Sequence, residues 1–138
     1  MKKILLACLF ALGLSILFSC EKDDSARYSK LIIGEWGFVK EEYVDKDGNV
    51  TTFSANDYRE QLPDGRSFLK TMKFTKELCY WYYVDKDEII VGTDVAQYHI
   101  DESNNILWGY AIIPIVELSK TSLVIDFDEA RLYFKRIK

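Results

Sequence analysis

The chain has 138 residues, of which 49% are apolar, 29% charged and 14% aromatic, with only 7 Gly and 2 Pro; this excludes disorder, collagen-like sequence and low complexity, and suits one packed domain. Once Lys2 and Lys3 leave with an export segment, 16 basic side chains face 22 acidic ones, a net charge of −6. No basic run in the remainder exceeds two residues, so neither a nucleic-acid footprint nor a polybasic lipid-binding patch is expected.

Residues 1–19 place Lys2 and Lys3 before an apolar stretch from Ile4 to about Phe18, then Ser19 before Cys20. This is the layout of a secretory signal peptide, too short and wrongly flanked for a stable membrane-spanning helix. With Leu17, Phe18 and Ser19 ahead of Cys20, the segment resembles a bacterial lipoprotein signal. That resemblance implies cleavage before Cys20, acylation of its thiol and attachment to a membrane through the acyl chains. Cys20-Glu21-Lys22-Asp23-Asp24 is similar to a surface-export signal of one group of Gram-negative bacteria, which implies an outer-membrane lipoprotein facing outward, with the periplasmic face as the alternative. Composition by itself licenses a charged tether over residues 20–29. Of the 3 cysteines, Cys8 leaves with the signal and Cys20 is acylated. Cys79, within LCYWYYV, then has no disulfide partner and reads as a buried structural thiol.

From Leu31 to Val44 the pattern is aromatic and β-branched, and Asp47-Gly48 is a hairpin signal. A short strand over about 49–54 answers it. Residues 55–66 are polar, with a turn at Pro63-Asp64-Gly65; they have room for one irregular helical turn but no apolar stripe long enough for a packed helix. Strands are then expected from Ser67, over Leu78–Val84, Glu88–Val91, Ala96–Ile100, Ile106–Ile113, Thr121–Phe127 and Ala130–Ile137. Short sequential connections favour an antiparallel up-and-down meander, and closure into a barrel removes its two exposed edges. The expected fold is therefore all-β, a small barrel of about eight strands over residues 30–138. YVDKD occurs at 43–47 and again at 83–87, which turn chemistry explains without a repeat architecture.

Gly34-Glu35-Trp36 at the start of the first strand, with Arg136 near the end of the last, resembles the Gly-x-Trp element of lipocalin-like domain lipoproteins of Gram-negative bacteria. The resemblance implies that Trp36 closes one barrel end and packs near Arg136, with Gly34, Trp36 and Arg136 in structural roles. An indole supplies apolar area and a guanidinium stacks on it while its polar edge stays hydrated.

Alternation puts Tyr80 and Tyr82 on one strand face, Trp81 and Tyr83 on the other. Trp108 and Tyr110 share a face of a later strand that Tyr98 can neighbour. Tyr80, Tyr82, Tyr98, Trp108 and Tyr110 are the candidate ligand contacts, since aromatics with polar handles suit amphipathic molecules; they equally suit a filled barrel core. No catalytic residue, metal site or cofactor is expected. His99 is the single histidine and reads as a surface group. Glu41 and Glu42 point to opposite faces of a regular strand, which is not a glycosidase pair. Asp45, Asp47, Asp85 and Asp87 lack the ordered twelve-residue calcium loop. The expected function is a membrane-tethered, non-enzymatic barrel that binds an apolar or amphipathic small molecule; the alternative is a solid-core accessory envelope lipoprotein acting through protein contacts.

Overall fold

The computed structural model describes residues 24–61, 63 and 66–138. The expected signal peptide, Cys20 and the Asp64-Gly65 half of the expected turn lie outside the described residues. Nine strands follow in order: β1 Gly34–Val44, β2 Val50–Ser54, β3 Phe68–Phe74, β4 Leu78–Val84, β5 Ile90–Ile100, β6 Asn105–Trp108, β7 Ala111–Leu118, β8 Ser122–Phe127 and β9 Ala130–Arg136. Helix α1 covers Ser25–Leu31, and α2 covers Ala55–Gln61 between β2 and β3.

From β3 to β9 each strand pairs with its neighbour in sequence. β9 returns to β1, from Trp36↔Arg136 to Tyr43↔Ala130, and closes the ring. The other edge of β1 is shared: Gly34–Gly37 pair with β3, and Lys40–Val44 with β2. β2 and β3 thus complete a single stave, and nine strands make an eight-stave antiparallel barrel. The expected all-β closed meander is the observed fold.

Three reversals use one chemistry. Asp45, Asp85 and Asp101 each donate a backbone N–H, at 3.0 Å, to the carbonyl four residues on. Each also accepts two backbone N–H groups on its carboxylate, from Asp47 and Asn49, Asp87 and Ile89, and Ser103 and Asn105. The fourth residue of each turn is left-handed: Gly48 at φ 83°, Glu88 at φ 63° and Asn104 at φ 62°. The two YVDKD copies are two of these three turns, and the third lacks that sequence. Local turn chemistry, with the aspartate as its acceptor, accounts for them.

Four boundaries differ from the sequence reading. Gly92-Thr93-Asp94 does not interrupt a strand, because β5 runs through it to Ile100 and pairs along β4 from Ile90 to Gln97. Conversely, the apolar run Ile106–Ile113 is two strands, divided at Gly109 (φ 58°) and Tyr110, and β7 continues through Pro114 to Leu118. The polar segment after β2 carries a packed helix. Ser54 and Asp57 cap α2 reciprocally, Asp57 Oδ2 accepting the Ser54 N–H at 2.6 Å and Ser54 Oγ the Asp57 N–H at 3.2 Å. Phe53, just before the cap, meets Tyr58 at 6.0 Å between ring centroids, so a capping box and a hydrophobic staple set the helix where no apolar stripe does. Finally, the end of the expected tether is helical, and Tyr28 and Leu31 pack against the core. Among the described residues no helix is long and apolar enough to cross a membrane.

Candidate functional site

The two ends of the barrel are built differently. At one end Trp36 is fully buried and its indole N–H donates to the Ile32 carbonyl at 2.7 Å. The Arg136 guanidinium lies 4.2 Å above its ring. Arg136 also donates to the carbonyls of Lys120 at 2.7 Å, Ile33 at 2.9 Å and Leu31. One cation therefore ties the last strand, the β7–β8 turn and the C-terminus of α1 around the indole. Gly34 has φ 141°, and a methyl group there would come within 2.5 Å of both Arg136 Nη1 and the Lys138 carbonyl oxygen. That is the physical content of the Gly-x-Trp element: the glycine leaves room for the guanidinium. Behind this plug Met72, Phe74, Cys79, Leu123 and Phe134 fill the interior. Burial pushes the Cys79 thiol up to about 12, far from a reactive thiolate.

The opposite end is open. A cleft of about 330 Å³ enters there, walled by Phe38, Tyr43, Tyr58, Phe68, Leu69, Trp81, Tyr83, Phe127 and Leu132, with Ser67, Glu41 and Asp128 as polar groups. Tyr58, delivered by α2, stacks on Phe68 with centroids 5.6 Å apart and meets Phe38 edge-on at 6.1 Å. A neighbouring cleft of about 380 Å³ shares Glu41, Tyr43 and Tyr58 with the first. The floor is Trp81, stacked on Trp108 at 4.8 Å and met by Phe127 at 5.0 Å.

Glu41 is the anomaly of this mouth. Its residue is only 7% exposed, and its Oε1 has no hydrogen-bond partner. Burial raises its pKa above the usual carboxyl range, and a hydrogen bond from Tyr43 offsets part of that rise. Burying a polar atom unpaired costs about 1–3 kcal/mol, and a small domain accepts that where the atom has another use. By contrast Glu42, on the outer face, accepts hydrogen bonds from Lys40 at 2.6 Å and Tyr133 at 2.7 Å, which lower its pKa.

The aromatics singled out in the sequence do not converge on this cleft. Tyr80 and Tyr82 stack on each other at 6.1 Å on the face opposite buried Cys79 and Trp81. Tyr98 and Trp108 are register partners, but both are committed to the core. The Tyr98 hydroxyl donates to the Thr75 carbonyl at 2.6 Å, and burial pushes its pKa up to about 12. Trp108 donates to the Cys79 carbonyl at 3.2 Å. Tyr110 is fully exposed in the β6–β7 turn. His99 is exposed as well.

Glu41 escapes a period-two reading for a definite reason. Counting inward positions from Trp36 and Phe38 arrives at Lys40 and Glu42. A bulge at Val39 shifts the register between Phe38 and Lys40, which turns Glu41 and Tyr43 inward opposite Leu132 and Ala130. The signal for α2 is present in Ser54-Ala55-Asn56-Asp57, a capping sequence. The gathering of Phe38, Tyr58, Phe68 and Phe127 has no local signal, since it follows from closure.

The fold defines a lipocalin-like barrel domain, a class whose shape two solved structures share. A lipocalin-like protein from Bacteroides uniformis ATCC 8492 superposes with a TM-score of 0.50 at 14% identity, covering 78% of this chain and 99% of that one. An uncharacterized protein from Bacteroides eggerthii DSM 20697 gives a TM-score of 0.52 at 11% identity, covering 76% and 98%. At these identities the likeness concerns the fold. No protein-family model and no curated protein matches the sequence.

Proposed function

We propose that this protein is a non-enzymatic barrel, tethered to the outer membrane through acyl chains on Cys20 and facing outward, that binds an apolar or amphipathic small molecule at its mouth. The observation that carries the binding role is the aromatic cleft of about 330 Å³ at the unplugged end, at the small end of the range for ligand sites. The tether rests on the sequence around Cys20. Native mass spectrometry of the chain isolated from its own cells tests the binding role. A retained small molecule that is lost on Trp81→Ala is the expected result, and an empty protein that no amphipathic probe perturbs overturns it. Membrane fractionation with labelled palmitate tests the tether: Cys20→Ala is expected to lose the label and leave the membrane with its fold intact. Label and membrane retention unchanged in the mutant overturn the anchor.

A second reading, an accessory lipoprotein acting through protein contacts, draws on the filled interior below Trp81 and on exposed Ile89, Ile90 and Val91 at the β4–β5 hairpin. Crosslinking in intact cells that recovers one envelope partner through that hairpin supports it, and a free monomer counts against it.

A further inference from the structure

We infer that the ligand of the barrel mouth is a small amphipathic cation, an apolar or aromatic body carrying an ammonium group that docks on Glu41. The inference rests on the small-molecule reading above and narrows it to a chemical class.

Three features of the cleft converge on this class. First, the charged side chains among its described lining residues, Glu41 and Asp128, are both acidic, with no lysine or arginine beside them to neutralise a carboxylate ligand. Second, Glu41 Oε1 is buried with no donor, so a ligand N–H satisfies an atom that the fold leaves open. An uncharged hydroxyl supplies one hydrogen bond; an ammonium supplies the bond and the countercharge that a buried carboxylate lacks. Third, the walls are aromatic: Phe38, Tyr58, Phe68, Tyr83 and Phe127. Aromatic rings attract a cation and accommodate an apolar body. An anionic amphiphile finds no lysine or arginine among the described lining residues; the unpaired donor there is the uncharged Trp81 indole N–H, which cannot supply a countercharge.

The groups facing Glu41 also set how binding depends on pH. Tyr43 on its own strand, Leu132 and Ala130 on β9, Tyr58 on α2, Tyr83 on β4 and Asp128 in the β8–β9 turn surround the cleft. Burial and a neighbouring acid raise the Tyr43 hydroxyl, beside Glu41, above its ordinary value, and push the Tyr83 hydroxyl, beside Asp94, up to about 12, so both stay protonated at neutral pH. Of the two cleft acids Asp128 is exposed and Glu41 buried, so the ionisation of Glu41 governs the affinity for an amine on the acid side. Binding weakens as pH falls through its raised pKa.

Three phenylalkyl probes of three charges test this: phenethylamine, 2-phenylethanol and phenylacetate, with nine, nine and ten heavy atoms. The full chain, carrying 5-fluorotryptophan at its 3 tryptophans, reports by fluorine NMR, with Trp81 at the cleft floor and Trp36 as the internal control. Phenethylamine is expected to shift the Trp81 resonance at a concentration at least tenfold lower than 2-phenylethanol needs, with phenylacetate weakest. Glu41→Gln is expected to bring the amine down to the affinity of the alcohol and to leave the alcohol and the Trp36 resonance unchanged. Equal binding of amine and alcohol, or an amine preference that survives Glu41→Gln, overturns the cation assignment and leaves the small-molecule reading standing. A Trp81 resonance that none of the three moves overturns both.

Discussion

The two ends of this barrel spend the same kinds of residue in opposite ways. At the plugged end an aromatic ring and a charged group face each other: Arg136 covers Trp36, and its N–H groups are used on three carbonyls. At the open end aromatic rings surround a charged group with an unpaired oxygen, Glu41. The Arg136 cation is fully partnered at the end that holds the fold, whereas the Glu41 carboxyl at the open end keeps one oxygen without a partner. A buried charge is worth little by itself; its partners decide what it does.

Mutations at the plugged end should be costly. Trp36→Ala removes a fully buried indole and is expected to cost about 3–5 kcal/mol, a large part of the roughly 5–15 kcal/mol typical of a domain. Arg136→Ala should cost less, and the two losses should be non-additive. Urea unfolding of both single mutants and the double mutant measures the coupling, and additivity within about 0.5 kcal/mol breaks the pair. Gly34→Ala strains a left-handed backbone and pushes on the guanidinium. A loss of about 1–3 kcal/mol is expected from thermal or urea unfolding, and it should shrink when Arg136 is already alanine.

At the open end the sign reverses. Glu41→Met, an apolar replacement of similar length, should raise stability by about 1–2 kcal/mol by removing an unpaired buried atom. A loss of stability in that variant would remove the distinction between the ends. The pH dependence follows from the same group. The folded chain holds the Glu41 proton more tightly than the unfolded chain, because burial raises its pKa. Its contribution to stability is complete below the ordinary carboxyl range and is lost as pH rises through the raised folded value. Glu41→Gln should lack that step in a series of urea midpoints against pH.

The smallest effect belongs to the β8–β9 reversal beside the cleft. Asp128 and Glu129 both adopt positive φ, 50° and 66°, in a two-residue turn that favours Asn-Gly. Glu129→Gly should stabilise by about 1 kcal/mol. No gain on thermal melting would mean that the glutamate makes a compensating contact in the folded state.

Sequence patterning carries the architecture further than it carries the site. Leu123 and Ile125 face inward as alternation with Val124 and Asp126 suggests, although Val124 is buried too, and each aspartate-led turn announces its hairpin. Trp36 and Arg136 are recognisable from Gly34-Glu35-Trp36 at the start of the first strand and from the arginine near the end of the last. Errors of strand division cancel: β5 is one strand where Gly92 suggests two, and β6 and β7 are two where an apolar run suggests one. Gly92 sits within a ladder that does not require it to turn, whereas Gly109 is left-handed and does turn. The mouth is a different matter. One inserted residue, Val39, reverses the facing of everything after it in β1, and residues from six separate elements meet there only once β9 has returned to β1. Aromatic density alone points to Tyr80, Tyr82 and Tyr110, which the pleat and a turn place outside.

The chain enters the barrel through α1, at the plugged end. Residues 21–24 separate Cys20 from that helix, a reach of about 14 Å when fully extended. Under the proposed acylation of Cys20, the anchor would lie at the plugged end and the mouth would face away from the bilayer. A ligand of the mouth would then arrive from water rather than from the lipid phase beneath. The same short tether would make the plugged end, and not the cleft, the part of the barrel nearest the membrane.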